Sequence, residues 1–399
     1  MLSVEQARAA MLREAKRLPA QRVRIDDALG RVLAAPISAR RDQPPFSASA
    51  MDGYALRAAD APGVLRIVGE SAAGRGFAGA LPPNACIRVS TGAPVPAGAD
   101  TVLMQEDARI ENDALHVGEV VAGRHVRARA GDFRAGAQLL DSGRRLRIGD
   151  VALAASVGCA ELEVTRLPRV HIISGGDELV RPGEEPGPDQ IFESGSYAVA
   201  ALTRAWGGEP SRGAPLPDAP EVIAARAREA MAACDVLVLI GGASVGPHDH
   251  GRAAAASLGL SIEVEKVAVK PGKPTWFARG AGACVLGLPG NPASALVCAR
   301  LFLAPLLYAL SGDRPEAATT EQTGVLARAL GAAGGRENYS RASLSLSGGG
   351  PAVLTPASDQ DSSLVTVLSG ADALIRQKAD SAALEAGRPV SYLGWAPAH

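Results

Sequence analysis

Three glycine- and proline-rich turns lie between residues 234 and 295: CDVLVLIGGASVGPHDH, VAVKPGKPTWF and VLGLPGNPASA. Glycines let backbone N–H groups come close to a phosphate, Lys270 and Lys273 supply point charges, and Asp249 offers a hard oxygen ligand for a cation. Such a set suits an anionic ligand. None of the three turns is a Walker A box or a G-x-G-x-x-G fingerprint, so a nucleotide is not specified by motif. Each turn follows a short apolar run, Val236–Ile240, 264–269 and Cys284–Leu288, with the length and β-branched content of a buried parallel strand. In an open α/β sheet, ligands bind at the carboxyl ends of the strands, so three such loops predict one composite site.

Other candidates lie further from these turns. In RRDQPPFSASAMDGYAL the carboxylate of Asp52 sits among Phe46, Met51 and Tyr54, a loop with apolar anchors and a charge. In RVSTGAPVPAGADTVLMQEDA, Thr91 falls at a strand end and Glu106 after the next strand; a turn former and a solvated strand end are the simpler readings of each alone. Glu178 closes the turn SGGDEL. Asp218 precedes Pro220 and on local sequence reads as a helix cap. His248, Asp249 and His250 invite a zinc reading, but i, i+2 spacing without a third ligand supports it weakly. Glu263 and Glu265 beside Val264 read as a solvated face.

Composition bounds what these residues can serve. The 399 residues are 47% hydrophobic and 21% charged, a globular composition with room for several domains. A formal net charge of -1 argues against nucleic acid or an anionic membrane as main partner. The five cysteines are odd in number, lie mostly in apolar runs and form no C-x-x-C pair, as expected of core residues in a reducing compartment. Charged residues from Glu5 to Arg17 exclude a signal-peptide core. The longest apolar run, 295–310, contains Arg300 and Pro305 and reads as too short to span a bilayer. A soluble, cytoplasmic protein is the expectation.

The elements that must position the candidates follow from periodicity. Residues 3–18 predict a helix with a Ser3/Gln6 capping box, ending at Pro19. Short apolar runs alternating with turns from 64 to 140 predict a small all-β domain, and residues 148–157 a helix returning to the first segment, which makes the β domain an insertion. Between 169 and 310, strands alternate with helices, at 196–206, 220–233 and 292–310, as in a doubly wound sheet with right-handed crossovers. The final segment, with strand candidates RASLSLS, AVLTPA, LVTVL, ADALIRQK and RPVSYL, predicts a small β-barrel or sandwich, with residues 315–320 as linker.

Taken together, PPFSASAMDGYA, TGAPVPAGADTVLMQED, SGGDEL, GGASVGPHDH, VKPGKP and LPGNPASA resemble the molybdopterin molybdenumtransferase family, which includes the E domain of gephyrin. The motifs occur in the family's order from the first helix to the C-terminal β segment. The resemblance implies an α/β plus β fold in an elongated, multi-domain subunit. Its parts are a discontinuous helical and extended linker domain (1–50 and 141–165), an inserted β domain (51–140), a doubly wound α/β molybdopterin-binding domain (166–314) and a C-terminal β-barrel (315–399). It further implies insertion of molybdate into adenylylated molybdopterin, with Mg2+-dependent release of AMP, by a homodimer whose site is shared between subunits. A separate molybdopterin adenylyltransferase is a further implied partner.

Residue by residue, the resemblance places the family's functional positions on Asp52, Thr91, Glu178, Asp218, Asp249, Lys266, Lys270 and Lys273. It gives the carboxylates of Asp218, Asp249 and Glu178 to magnesium, and Lys270 and Lys273 to molybdate or the terminal phosphate of the pterin. The loops Gly241, Gly242, Ser244, Gly246 and Pro289, Gly290, Asn291, Pro292 would cradle phosphates. The chain departs from the family pattern at Ser47 and Ala48 (an Asp-Asn pair), at Gly175 (threonine) and at Glu193-Ser194-Gly195 (Asp-x-Asn). The charged positions are retained, which favours an enzyme; the lost amide at Gly195 and the lost carboxylate at Ser47 leave a non-catalytic carrier of molybdopterin or the finished cofactor as the alternative.

Overall fold

The computed structural model describes residues 1–242, 250–280, 282–346 and 350–397. The chain divides into two compact units. One comprises 1–34, 143–147 and 161–399; the other comprises 35–142 and 148–160.

The smaller unit is built on a six-stranded sheet in the order Thr101–Met104, Gly53–Leu56, Ala85–Val89, Gly63–Ser71, Ala114–Val117, Arg109–Glu111. Alternation along its central strands feeds two cores. Tyr54, Leu56 and Cys86 pack on one face with Leu65 and Leu115, whereas Ala55, Ala85 and Ile87 pack on the other with Leu81 and Val102. Short pairings of Ala48–Ser49 with Val126–Arg127 and of Ile37–Ser38 with Gln138–Leu140 complete it, together with the helix Ile148–Ser156.

In the larger unit the sheet order is Glu209–Arg212, Arg169–Ser174, Val236–Ile240, Cys284–Leu288, Trp276–Arg279, Ser261–Val264. The first four strands are parallel, and Trp276–Arg279 runs antiparallel to both of its neighbours, Cys284–Leu288 and Ser261–Val264. Val236, Val238 and Ile240 face a core shared with the helices Val4–Leu12, Gly195–Ala205 and Pro292–Cys298, while Leu237 and Leu239 face the helices Pro220–Met231 and His250–Ser257. Burial on both faces is why these strands read as continuous apolar runs. Gly287 pairs with Trp276, and a Cβ at 287 would collide with the indole, so glycine is what lets this large ring close the sheet.

The run 264–269 differs from expectation. Ser261–Val264 ends as an antiparallel edge strand, and Val269–Lys270 pairs in parallel with Glu337 and Asn338 of the C-terminal sheet. Val264 and Val269 are both buried, which keeps the run apolar at its two ends, but they belong to different sheets.

Five strands, Gln322–Leu326, Glu337–Leu346, Ala352–Pro356, Ala373–Gln377 and Pro389–Gly394, close on one another as a barrel. LVTVL is not among them. Val365–Ser369 is a short helix entered through a turn in which Asp361 accepts hydrogen bonds from the N–H and Oγ of Ser363, at 2.8 and 2.7 Å. Residues Pro315–Thr319, expected as linker, form a 3-10 turn with Ala318 buried. The first helix keeps its Ser3/Gln6 capping box but ends at Leu12, short of the 18 expected.

The helix Pro292–Ser311, a π-turn at Ala299–Leu303 included, has the 20 residues and apolar composition needed to cross a membrane, contrary to the length read from sequence. Of its most apolar window, 89% is buried inside the fold. The π-turn directly precedes Pro305, which has no N–H for the carbonyl four residues back, so a local change of register accommodates it. Arg300, on this helix, is buried. Its Nε donates to the carbonyl of Gly394 at 2.7 Å, its Nη1 to that of Ala318 at 2.8 Å, and its guanidinium lies 4.2 Å from the Trp206 ring. Burial pushes its pKa down to about 10. One helix is thereby tied to the barrel, to the 3-10 turn and to the helix Gly195–Ala205.

Candidate functional site

The carboxyl ends of the parallel strands open into a cavity of about 590 Å³. Its glycine floor follows from how the loops meet. The N–H of Gly175 donates to the carbonyl of Ile240 at 2.8 Å, and that of Gly241 to the carbonyl of Leu288 at 3.1 Å. Gly241 has φ of 86°, and a Cβ there would overlap the carbonyl oxygen of Gly175. Only glycine permits both the left-handed backbone and the close approach. Gly176, Gly242 and Gly290 line the same space.

Three carboxylates border the cavity, those of Glu178, Glu193 and Asp218, and among the described residues no lysine or arginine lines it. Asp218 is not the cap that local sequence suggests. Ala219 holds the N-cap position of the helix Pro220–Met231 and, being alanine, has no side-chain acceptor to cap it, while Pro220 at the first helical position lacks one of the N–H groups a helix start leaves unpaired. Asp218 is instead held by its own N–H, which donates to Asp177 Oδ1 at 3.2 Å. Glu178 is set by the pairing of Leu179–Val180 with Ile191–Phe192; its carbonyl accepts from Ile191 N–H at 2.7 Å, and Glu193 N–H donates to Val180 at 2.8 Å.

Of the expected phosphate loops, Gly241, Gly242, Pro289, Gly290, Asn291 and Pro292 line the cavity. Ser244, Gly246 and Asp249, with His248, lie outside the described residues. The lysines are placed apart from the carboxylates. Of the turn 270–274 only Pro274 lines the main cavity, while Lys270 lines a separate one of about 190 Å³ with Arg336 and Asn338. Lys273 is exposed, and Lys266 is half-buried with its carbonyl accepting from Leu2 N–H at 3.1 Å.

In the smaller unit, Asp52 and Thr91 meet. Asp52 Oδ1 accepts from the N–H of Thr91 at 2.6 Å and from its Oγ at 3.0 Å. These two donors, the backbone one foremost, hold the Asp52 carboxyl below the usual aspartate range.

Residues not singled out from sequence also border the site. Glu193, only 5% exposed, accepts from Ser174 Oγ at 3.0 Å, from Ser196 N–H at 2.6 Å and from Ser196 Oγ at 2.6 Å. Ser363 and Val365 reach the cavity from the barrel, and Asn291 Nδ2 donates to Ser362 Oγ at 2.8 Å. Arg341, fully buried, fixes that segment through Gln360 and through the carbonyl of Asp361 at 2.9 Å, and its Nη2 has no hydrogen-bond partner among the described residues. The only available signal was the Glu-Ser-Gly departure at 193–195; nothing in the spacing of Arg341 or Ser363 marks them.

Magnesium favours one or two carboxylates plus ligand phosphate oxygens over a complete protein cage. Among the described residues no three His, Cys, Asp or Glu side chains gather as such a cage, while Glu178 and Asp218 border one anion-suited cavity. That donor set fits the ion. An acidic cavity without a lining cation would otherwise repel a phosphate.

Comparison with known proteins gives three family matches: MoeA N-terminal region (domain I and II) over residues 2–158, probable molybdopterin binding domain over 171–309, and MoeA C-terminal region (domain IV) over 323–395. The molybdopterin molybdenumtransferase of Nostoc sp. is 38% identical over 71% of this chain and 67% of its own length. That of Haemophilus influenzae is 33% identical over 79% of each chain, and molybdopterin molybdenumtransferase 2 of Mycobacterium tuberculosis is 34% identical over 81% of this chain and 82% of its own. The crystal structure of the molybdopterin biosynthesis MoeA protein from Pyrococcus horikoshii superposes with a TM-score of 0.86 at 28% identity, covering 99% of both chains. With its motifs in order, its fold matched end to end and relatives of this similarity, the chain belongs to the molybdopterin molybdenumtransferase (MoeA) family.

Proposed function

We propose that this chain inserts molybdate into adenylylated molybdopterin and releases AMP, with the 590 Å³ cavity as the place where the phosphate-bearing substrate is held. The observation that carries the reading is the convergence of glycine loops and the carboxylates of Glu178 and Asp218 at the carboxyl ends of one parallel sheet. Glu178 and Asp218, with Asp249, would hold Mg2+. That ion supplies charge neutralisation for the phosphoanhydride and for the departing AMP. Backbone N–H groups of the loops at Gly241 and Gly290 approach the phosphates without side-chain hindrance. Lys266, Lys270 and Lys273 supply positive charge for the oxyanion outside the carboxylate cavity, so that two anions are received at separate positions.

The same reading includes a homodimer in which Asp52 and Thr91 of the partner subunit complete each site, an adenylyltransferase as supplier of substrate, and a cytoplasmic location. It also includes the four-part division at 1–50 with 141–165, 51–140, 166–314 and 315–399.

Incubation with adenylylated molybdopterin, molybdate and Mg2+ tests it. An enzyme releases AMP in proportion to molybdenum incorporated, and loses that release when molybdate or magnesium is omitted. Tight binding of the adenylylated pterin without AMP release would establish a carrier instead.

A further inference from the structure

Glu193 is one of the three carboxylates bordering the cavity, and among the described residues it is the one of them that is buried. A phosphate, which only accepts hydrogen bonds at its ionised oxygens, is repelled by such a group. Something that donates is not. A carboxylate offers about four lone-pair sites. Three are filled: two on Oε1, by Ser174 Oγ and Ser196 N–H, and one on Oε2, by Ser196 Oγ. Among the described residues one site on Oε2 remains. Ser174 also lines the cavity, and with its proton given to Glu193 its Oγ presents lone pairs only. Glu193 and Ser174 thus form a two-acceptor edge.

Next to this edge stands an apolar wall. Ile191 and Phe192 both line the cavity although they are 60% and 51% exposed, and backbone pairing to Leu179–Val180 holds them in place. Gly195, also lining, places no side chain between them and the carboxylate: a Cβ there would lie 3.5 Å from Glu193 Oε1. An apolar face beside two acceptors matches a flat heterocycle with two adjacent donors.

Resting on the function proposed above, the geometry points to Glu193, Ser174 and Phe192 as the subsite for the aminopyrimidinone ring of the pterin. Its ring N–H and amino group are neighbouring donors. The adenine of the same substrate presents an amino donor beside a ring acceptor, which a pair of acceptors does not match. The pterin therefore lies against 191–195, and the phosphates extend toward Gly241 and Gly290.

The test uses the full chain with two probes radiolabelled in adenine, adenylylated molybdopterin and AMP, their dissociation constants measured by ultrafiltration. Glu193→Gln keeps the side chain's size but turns an acceptor toward a donor position into an amide. Since a hydrogen bond to a charged group contributes on the order of tenfold or more, the variant should bind adenylylated molybdopterin at least about tenfold more weakly and AMP within about twofold of wild type. Phe192→Ala, at an exposed position that does not threaten folding, should show the same selectivity with a loss of about threefold or more. Equal losses for both probes, equal affinity of the wild type for both, or no loss in Phe192→Ala should Glu193→Gln fail to melt cooperatively, each overturn the subsite. These outcomes are separate from AMP release by the wild type, whose absence would overturn the activity rather than the pterin's position.

Discussion

At the scale of single residues, the Asp52–Thr91 pair makes the most direct connection between a sequence motif and a measurable property. Thr91 was readable as a turn former and Asp52 as a loop carboxylate, and the structure joins them through two hydrogen bonds to one oxygen. The folded Asp52 pKa is lowered, so the pair's contribution to stability is present above the ordinary aspartate value of about 3.9 and is lost as pH falls through the lower folded value. Thr91→Val removes the Oγ donor and keeps the backbone one, the larger of the two influences. Carboxyl carbon NMR should therefore show the Asp52 pKa rising part of the way back. An unchanged titration would mean that the hydroxyl contact is not made in solution. What sequence could not supply at this scale was proximity. Asp218 illustrates it: a carboxylate two residues before Pro220 looks like a cap, and only its placement in the cavity lining with Gly175 and Glu178 makes it a cavity carboxylate. Glu193 and Arg341 were less legible still, because their burial comes from packing that local pattern does not show, even though Ser196 lies only three residues from Glu193.

At the scale of elements, legibility depended on whether pattern determines pairing. Val236–Ile240 and Cys284–Leu288 were readable because a strand buried on both faces is apolar throughout. The run 264–269 was read the same way, yet its last residue, Val269, pairs with Glu337; burial shows in a sequence, whereas the identity of the neighbouring strand does not. LVTVL misleads in the same way, since β-branched content is outweighed by the Asp361–Ser363 turn that starts a helix. The loop after Val236–Ile240 gives the prediction proper to this scale. Gly241→Ala places a Cβ at a left-handed φ, costing about 1–2 kcal/mol, and drives it against the carbonyl of Gly175. At about 2.1 cal/mol/K of unfolding entropy per residue, each kcal/mol lowers the Tm of a 399-residue chain by about 1 °C, so calorimetry should register a loss of about 1 °C or more. Substrate binding should weaken with it, because relief of the clash requires the loops at 175 and 241 to part. A variant as stable as wild type would show that these loops do not meet as closely as described.

At the scale of the whole molecule, the resemblance implied more than composition or periodicity could, since no spacing in the sequence indicates that residues of different subunits share a site. The proposed composite site makes a claim about pairs of chains. In a two-fold interface each subunit meets its partner through the same surface, so the smaller unit of each chain can serve the cavity of the other, giving two equivalent sites. Asp52 belongs to the smaller unit and Asp218 to the larger. If both are needed for catalysis, Asp52→Ala and Asp218→Asn homodimers are each inactive, but the heterodimer has one site with both lesions and one with neither. Mixing the two proteins under conditions of subunit exchange should restore about half of wild-type activity per heterodimer. Differently tagged subunits show by co-purification that the heterodimer has formed. Restoration cannot come from sites made within single chains, because every such site would carry one lesion. Heterodimers that form and remain as inactive as their parents would assign Asp52 and Asp218 to the same subunit's site.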